Sequence, residues 1–135
     1  AGFWPMWTPG EAGAHEALEV FEDSALRGYR SGRDRPDQAG TSRLSPHLHF
    51  GEIAPWRICA ELARHHRAGT AADVDGYVRE LGWREFAYHL LHHFPQTPTR
   101  NLDTRFDHFP WATRDAATLH AWRHGRTGIP IVLPE

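Results

Sequence analysis

The stretch from Ala72 to Phe94 does most to limit what this chain can become. No proline interrupts it before Pro95, and its apolar residues recur at steps of three and four, so the spacing predicts one long helix over 72–94. At ~100° of rotation per residue, Val74, Tyr77, Val78 and Leu81 fall on one side. Trp83, Ala87, Leu90, Leu91 and Phe94 fall on nearly the opposite side. A helix that is apolar on two sides needs partners on both. The expectation is the middle of a larger helical domain. The apolar run from Ile129 to Leu133 at the end of the chain adds to the expectation of a fragment.

The other segments read as shorter helices. Leu18, Phe21, Ala25 and Leu26, with Glu16, Glu19 and Glu22 between them, predict a helix over 11–29. "RSGRDRPDQAG" (30–40) is a loop by its Gly, Pro and Asp content. Ser45 before Pro46 fits an N-cap with proline at the first helical position, and Gly51 ends that turn. A further helix begins near Pro55, offers Trp56, Cys59, Ala60, Leu62 and Ala63 as its apolar face, and stops at Gly69. Residues 95–106 are loop, and Thr113 to His124 is a last short helix. Nothing alternates at period two for long enough to require a sheet. The predicted fold class is all-α: an extended lead-in over 1–10, then a partial multi-helical domain over 11–135.

Composition narrows the function classes. A net charge of −2 gives no global attraction to nucleic acid. Yet every basic residue is arginine, and Arg27, Arg30, Arg33, Arg35 and Arg43 cluster within residues 27–43. A patch of guanidinium forks suits phosphate or carboxylate. The single Cys59 excludes an internal disulfide. No apolar run reaches the ~18 residues of a membrane span, and "AGFWPMWTPGE" has no signal-peptide pattern. A soluble, cytoplasmic chain with no membrane partner is expected, and no protein partner is evident.

Three groups of residues could carry chemistry. In "GTSRLSPHLHFGE" the hydroxyls of Thr41, Ser42 and Ser45 surround Arg43 and follow Gly40. They suit either ordinary capping and turn chemistry or an anion held where a loop meets a helix. In "ELGWREF", Glu80, Trp83 and Arg84 lie within ~100° of arc on one helix surface. They could accept hydrogen bonds from a base, stack on it and neutralise a phosphate. Alternatively, Glu80 and Arg84 form an i,i+4 pair beside a core tryptophan. Tyr29 and Arg33 stand just ahead of the hydroxyl turn, in a loop where Asp34 and Asp37 can absorb arginines. Eleven histidines include His89 and His93 at i,i+4 and His47 near His49, but no spacing makes a convincing metal site, and none is expected.

In this order, "WTPGE", "YRSGRDRP", "GTSRLSPHLHFGEI", "ELGWREFAYHLLHHFP", "FPW" and "GRTGIPIV" resemble the helical FAD-binding domain of the DNA photolyase/cryptochrome family. The resemblance runs from Trp7 to Val132, and "LGWREFAYHLL" is more like bacterial photolyases than cryptochromes. It implies bound FAD and light-driven electron transfer that splits cyclobutane pyrimidine dimers in double-stranded DNA. It places Tyr29, Thr41, Ser42, Arg43, Leu44 and Ser45 at the flavin phosphates. Arg33 would contact the DNA backbone. Glu80, Trp83 and Arg84 would wall the pocket for the flipped-out dimer, a lesion whose poor pairing eases its extrusion. Trp111 would be the outermost tryptophan of an electron route to the flavin.

The same resemblance sets aside an antenna-chromophore domain, expected ahead of Ala1, and the segment expected after "GRTGIPIV". The 135-residue chain alone is therefore expected not to repair DNA. Two further readings stand beside the lyase: a cryptochrome-type blue-light photoreceptor without repair, and a helical nucleic-acid-binding module without flavin.

Overall fold

The computed structural model describes residues 7–110 and 115–129. Its contacts divide the chain into two units, Ala1–His93 and Phe94–Glu135. Among the described residues the regular structure is helical, with no strand, in agreement with the all-α expectation.

Among its described residues the first unit holds five α-helices: α1 (Glu11–Ser24), α2 (Tyr29–Gly32), α3 (Ser45–His49), α4 (Pro55–Ala63) and α5 (Ala71–His93). Helix α1 buries Ala14, Leu18 and Phe21, one stripe at steps of four and three. It ends five residues before the predicted limit at Tyr29. Ser24 Oγ donates back to the Val20 carbonyl at 2.6 Å, and Gly28 turns into the left-handed region at φ 91°, a conformation glycine adopts without a Cβ penalty. Chain direction resets there, and α2 begins at Tyr29 and runs into the segment expected to be loop.

Helix α4 buries only part of the face expected, Leu62 with Cys59 packed against the core. Trp56 is 77% exposed, and Ala60 and Ala63 are not among the core residues. The buried side is Ile58, Glu61 and Leu62. Glu61 can turn inward because Arg57 meets its carboxylate at 2.6 Å and Arg64 pairs with it as well. Paired charges tolerate burial where lone ones do not. Helix α4 also ends well short of Gly69, and turns over 64–70 lead into α5.

Helix α5 follows its prediction to within one residue at each end. Its first half closes the core: Val74, Tyr77 and Leu81 are buried with Phe21, Leu26, Leu44, Ile58 and Leu62. Phe21 and Tyr77 rings stand 4.8 Å apart, and Tyr29 meets Tyr77 edge-on at 5.1 Å. Its second half lies bare, with Trp83 59%, Phe86 49% and Leu91 44% exposed. The two apolar sides read in the sequence are both present, and the first unit covers one of them.

In the second unit, a 3-10 turn at Thr104–His108 starts just inside the segment expected to be loop. Helix α6 (Ala116–Arg123) follows, and Asp115 accepts from the Ala117 amide at 2.9 Å to cap it.

Candidate functional site

The hydroxyl turn and α5 enclose a hollow of about 340 Å³, lined by Tyr29, Thr41, Ser42, Arg43, Ser45, Leu48, Tyr77, Glu80, Leu81 and Arg84. Its size lies near the lower end for small-molecule sites. Members of two groups singled out separately in the sequence, Thr41, Ser42, Arg43 and Ser45 from one and Glu80 and Arg84 from the other, line this single space.

The turn is built by close backbone approach. A Cβ on Gly40 would stand 2.5 Å from the Gly32 carbonyl oxygen, so the glycine is required where the chain recrosses α2. Arg43 sits at φ 55°, a left-handed conformation uncommon for a residue with a Cβ. Its guanidinium lies 5.2 Å from the Trp7 ring centre. Thr41, Ser42 and Arg43 also line a second hollow of about 350 Å³ on the α1 side, with Trp7, Phe21 and His47 among its walls.

The three hydroxyls are not equivalent. Ser42 Oγ shares a 2.7 Å hydrogen bond with the Tyr77 hydroxyl and accepts from the Leu44 amide at 3.3 Å. It holds the turn together. Burial pushes the Tyr77 phenol up to about 12, so it stays neutral and able to donate. Ser45 is the first residue of α3 rather than its cap, and Leu44 at the cap position makes no side-chain cap bond. Among the described residues, no protein partner takes the Thr41 or Ser45 hydroxyl. Leu44 itself is core, at 1% exposure, so its side chain is not available to a ligand.

Glu80 pairs across elements with Arg33, not along the helix with Arg84. The Arg33 hydrogen bond holds the Glu80 carboxyl below the usual carboxylate range, and the same bond raises Arg33. Arg33 also reaches Asp34 at 3.4 Å and lies 5.6 Å from the Tyr29 ring centre. Two carboxylates therefore share its charge. Arg84 donates to the Leu48 carbonyl at 3.3 Å, pairs with Glu85 and covers the Tyr88 ring at 4.6 Å. Trp83 is exposed on the same helix and meets Phe86 edge-on at 5.9 Å, outside the walls of the hollow. Trp111 lies outside the described residues.

Two functional positions were missed in the sequence. Tyr77 ties the turn to α5, and Asp73 accepts from the backbone amides of Gly28 and Arg30 at 2.9 and 3.0 Å. Both act over more than thirty residues of chain, beyond any local spacing rule. The histidines singled out in the sequence pair locally: His47 Nδ1 meets Glu52 at 2.6 Å, and the His89 and His93 rings stand 4.4 Å apart.

Residues 77–132 match the family model described as the FAD binding domain of DNA photolyase. The chain is 46% identical over 133 residues to the deoxyribodipyrimidine photo-lyase of Agrobacterium fabrum, covering 96% of this chain and 27% of that protein. It is 44% identical over 128 residues to the deoxyribodipyrimidine photo-lyase of Thermus thermophilus, covering 95% and 29%. It is also 34% identical over 133 residues to cryptochrome-1 of Arabidopsis thaliana, covering 93% and 19%. The crystal structure of a bacterial class III photolyase from Agrobacterium tumefaciens superposes with a TM-score of 0.84 at 46% identity, over 96% of this chain and 27% of that one. The chain thus spans about a quarter of the length of the bacterial relatives it matches.

The cofactor that goes with this domain is FAD, and the hollow fits part of it. The Thr41 and Ser45 hydroxyls, without a protein partner among the described residues, line the hollow together with Arg43 and Arg84, and such donors suit phosphoryl oxygens. Sequence motifs, helical architecture and all three comparisons converge: this chain matches a stretch of the helical FAD-binding domain of the DNA photolyase/cryptochrome family.

Proposed function

We propose that this stretch serves a FAD-dependent deoxyribodipyrimidine photolyase, a cytoplasmic enzyme that splits cyclobutane pyrimidine dimers in double-stranded DNA. The observation that carries the reading is the shared hollow, where the hydroxyl turn and Glu80 with Arg84 face the same space. Reduced flavin, when bound, supplies under light the electron that opens the cyclobutane ring and is then returned.

The protein's own groups do the rest. Thr41 and Ser45 donate to the flavin diphosphate, with Arg43 beside them, while Ser42 and Leu44 keep the turn in shape. Tyr29 walls the same seat. Glu80, kept ionised by Arg33, accepts hydrogen bonds from the polar edge of the extruded pyrimidines. Trp83 offers an exposed indole face for stacking. Arg84, steadied by Tyr88 and the Leu48 carbonyl, offsets phosphate charge nearby. Arg33 retains guanidinium edges for the DNA backbone, though Glu80 and Asp34 share its charge. Trp111 would serve as an electron carrier to the bound flavin.

The test is a chimera in which this stretch replaces the aligned residues of the Agrobacterium fabrum enzyme. Flavin retention and dimer splitting under blue light are expected. A chimera that folds without flavin overturns the seat. One that keeps flavin but leaves dimers intact favours the photoreceptor reading, which the 34% identity to plant cryptochrome-1 keeps in play.

A further inference from the structure

We infer that Asp73 is a positioning residue of the cofactor seat: from the first turn of α5 its carboxylate caps the helix that carries Tyr29 and leads into Arg33, and so sets where both side chains stand. The inference about affinity rests on the reading of the hollow as a flavin seat; the clamp itself does not.

Helix α2 has four residues and no cap of its own, because the residue before it is Gly28. So short a helix does not persist alone in water, and its first amides have no partner within it. Asp73 supplies them. Its Oδ2 accepts from the Gly28 amide at 2.9 Å and its Oδ1 from the Arg30 amide at 3.0 Å, so one carboxylate grips both sides of Tyr29. Elsewhere the chain caps locally: Asp103 accepts from Arg105 and Asp115 from Ala117, each two residues on. Asp73 acts across 43 and 45 residues. A cap supplied by another element fixes relative placement as well as saturating amides.

The neighbours of Asp73 on α5 support that role. At Gly76 an added Cβ would lie 3.0 Å from Arg30 Cγ, so α2 rests directly on the bare helix surface there. Tyr77 then binds Ser42, Glu80 pairs with Arg33, and Arg84 donates to the Leu48 carbonyl. Positions 73, 77, 80 and 84 follow one another at steps of four, three and four, a single stripe along the helix. Glu80 secures the far end of α2 and Asp73 its beginning. Without Asp73 the Tyr29 end is released, and the displacement passes along the four-residue helix to Arg33, which then rests on its side-chain ion pairs alone. The amides of Arg30 and Gly28 hold the Asp73 carboxyl below the usual range, consistent with an anion that is bound rather than free.

The experiment compares Asp73→Ala, Asp73→Asn and Val74→Ala in the nitrogen-15-labelled 135-residue chain. Val74 is buried beside Asp73 but makes no cap, so it controls for lost stability. In Asp73→Ala the Gly28 and Arg30 amides should exchange about tenfold faster or more, the loss expected for a charge-assisted hydrogen bond. The Arg33 Nε–H resonance should shift toward its solvated position. Asp73→Asn, which keeps one acceptor oxygen, should fall between, and Val74→Ala should leave these signals in place. In the chimera, Asp73→Ala should weaken flavin binding by about tenfold and Asp73→Asn by less. Unchanged Arg33 and amide signals in a folded Asp73→Ala chain, or equal changes in Val74→Ala, overturn the inference. So does a lost clamp with unchanged flavin affinity. An unmodified chimera without flavin overturns the seat instead, and the amide signals still decide the clamp.

Discussion

The Ser42 and Tyr77 hydroxyls lie 2.7 Å apart, joining the turn at the hollow to the middle of α5. Tyr77 is buried and its ring completes the aromatic cluster with Phe21 and Tyr29. One hydrogen bond thus connects the core to the proposed flavin seat.

The two ends of that bond should respond unequally. Tyr77→Phe removes a hydroxyl and leaves Ser42 its Leu44 amide, so a loss of about 1 kcal/mol is expected. Ser42→Ala strands the buried Tyr77 hydroxyl and the Leu44 amide together, and about 2 kcal/mol or more is expected. Urea unfolding of both variants measures the order. Equal or reversed losses would mean the bond does not hold the turn.

Acid should loosen the first unit through its bound carboxylates. Asp73, Glu80 and Glu52 are all held below their ordinary values, by the Arg30 and Gly28 amides, by Arg33 and by His47 respectively. The unfolded values are about 3.9 for Asp and 4.3 for Glu. Their stabilisation is therefore complete above those values and is lost as pH falls through the lower folded ones. Urea midpoints should decline below about pH 5, and Asp73→Asn should flatten part of that decline. A midpoint independent of pH in this window contradicts the clamp and the ion pair alike.

Two glycines should behave oppositely. At Gly40 a Cβ meets the Gly32 carbonyl oxygen at 2.5 Å, whereas at Gly82 it meets nothing within 4 Å. Gly40→Ala should spread the turn, lower the melting temperature and weaken flavin binding in the chimera. Gly82→Ala, inside α5, should stabilise by about 0.5–1 kcal/mol. Calorimetry on both variants checks the contrast; stabilisation by Gly40→Ala would deny the close crossing.

Trp83 is an exposed indole on the helix that carries Glu80 and Arg84. Trp83→Ala in the chimera should weaken binding to dimer-containing duplex by about 5- to 150-fold, the range for one lost stacking contact. Flavin content should stay constant. Undamaged duplex should bind almost as before, because phosphate contacts carry that affinity. A uniform loss on both DNAs would assign Trp83 to the fold.

Helix α5 was legible because its pattern is long, free of proline and closed by Pro95. Its double apolar face was legible too, for the same reason. Helix α2 was not, since four residues carry no period and their cap stands on another element. The α4 face was read only in part, through Leu62 and Cys59, because hydrophobicity rules place a glutamate outside, whereas Arg57 and Arg64 let Glu61 turn in. Local spacing offered Arg84 as the partner of Glu80; the chain brings Arg33 there from forty-seven residues earlier. Site chemistry was readable from residue types, while site assembly depended on these distant pairings.

The contact between Gly32 and Gly40 makes a neck. Residues 33–39 form a closed bight above it, with Arg35 and Asp37 tied to each other at 2.8 Å within the loop. Lengthening a flexible bight costs little once its base is pinned. Insertions between Arg35 and Ala39 can therefore accumulate without displacing either Tyr29 or Thr41, and this is the place where the chain can change length while its binding surface keeps its shape.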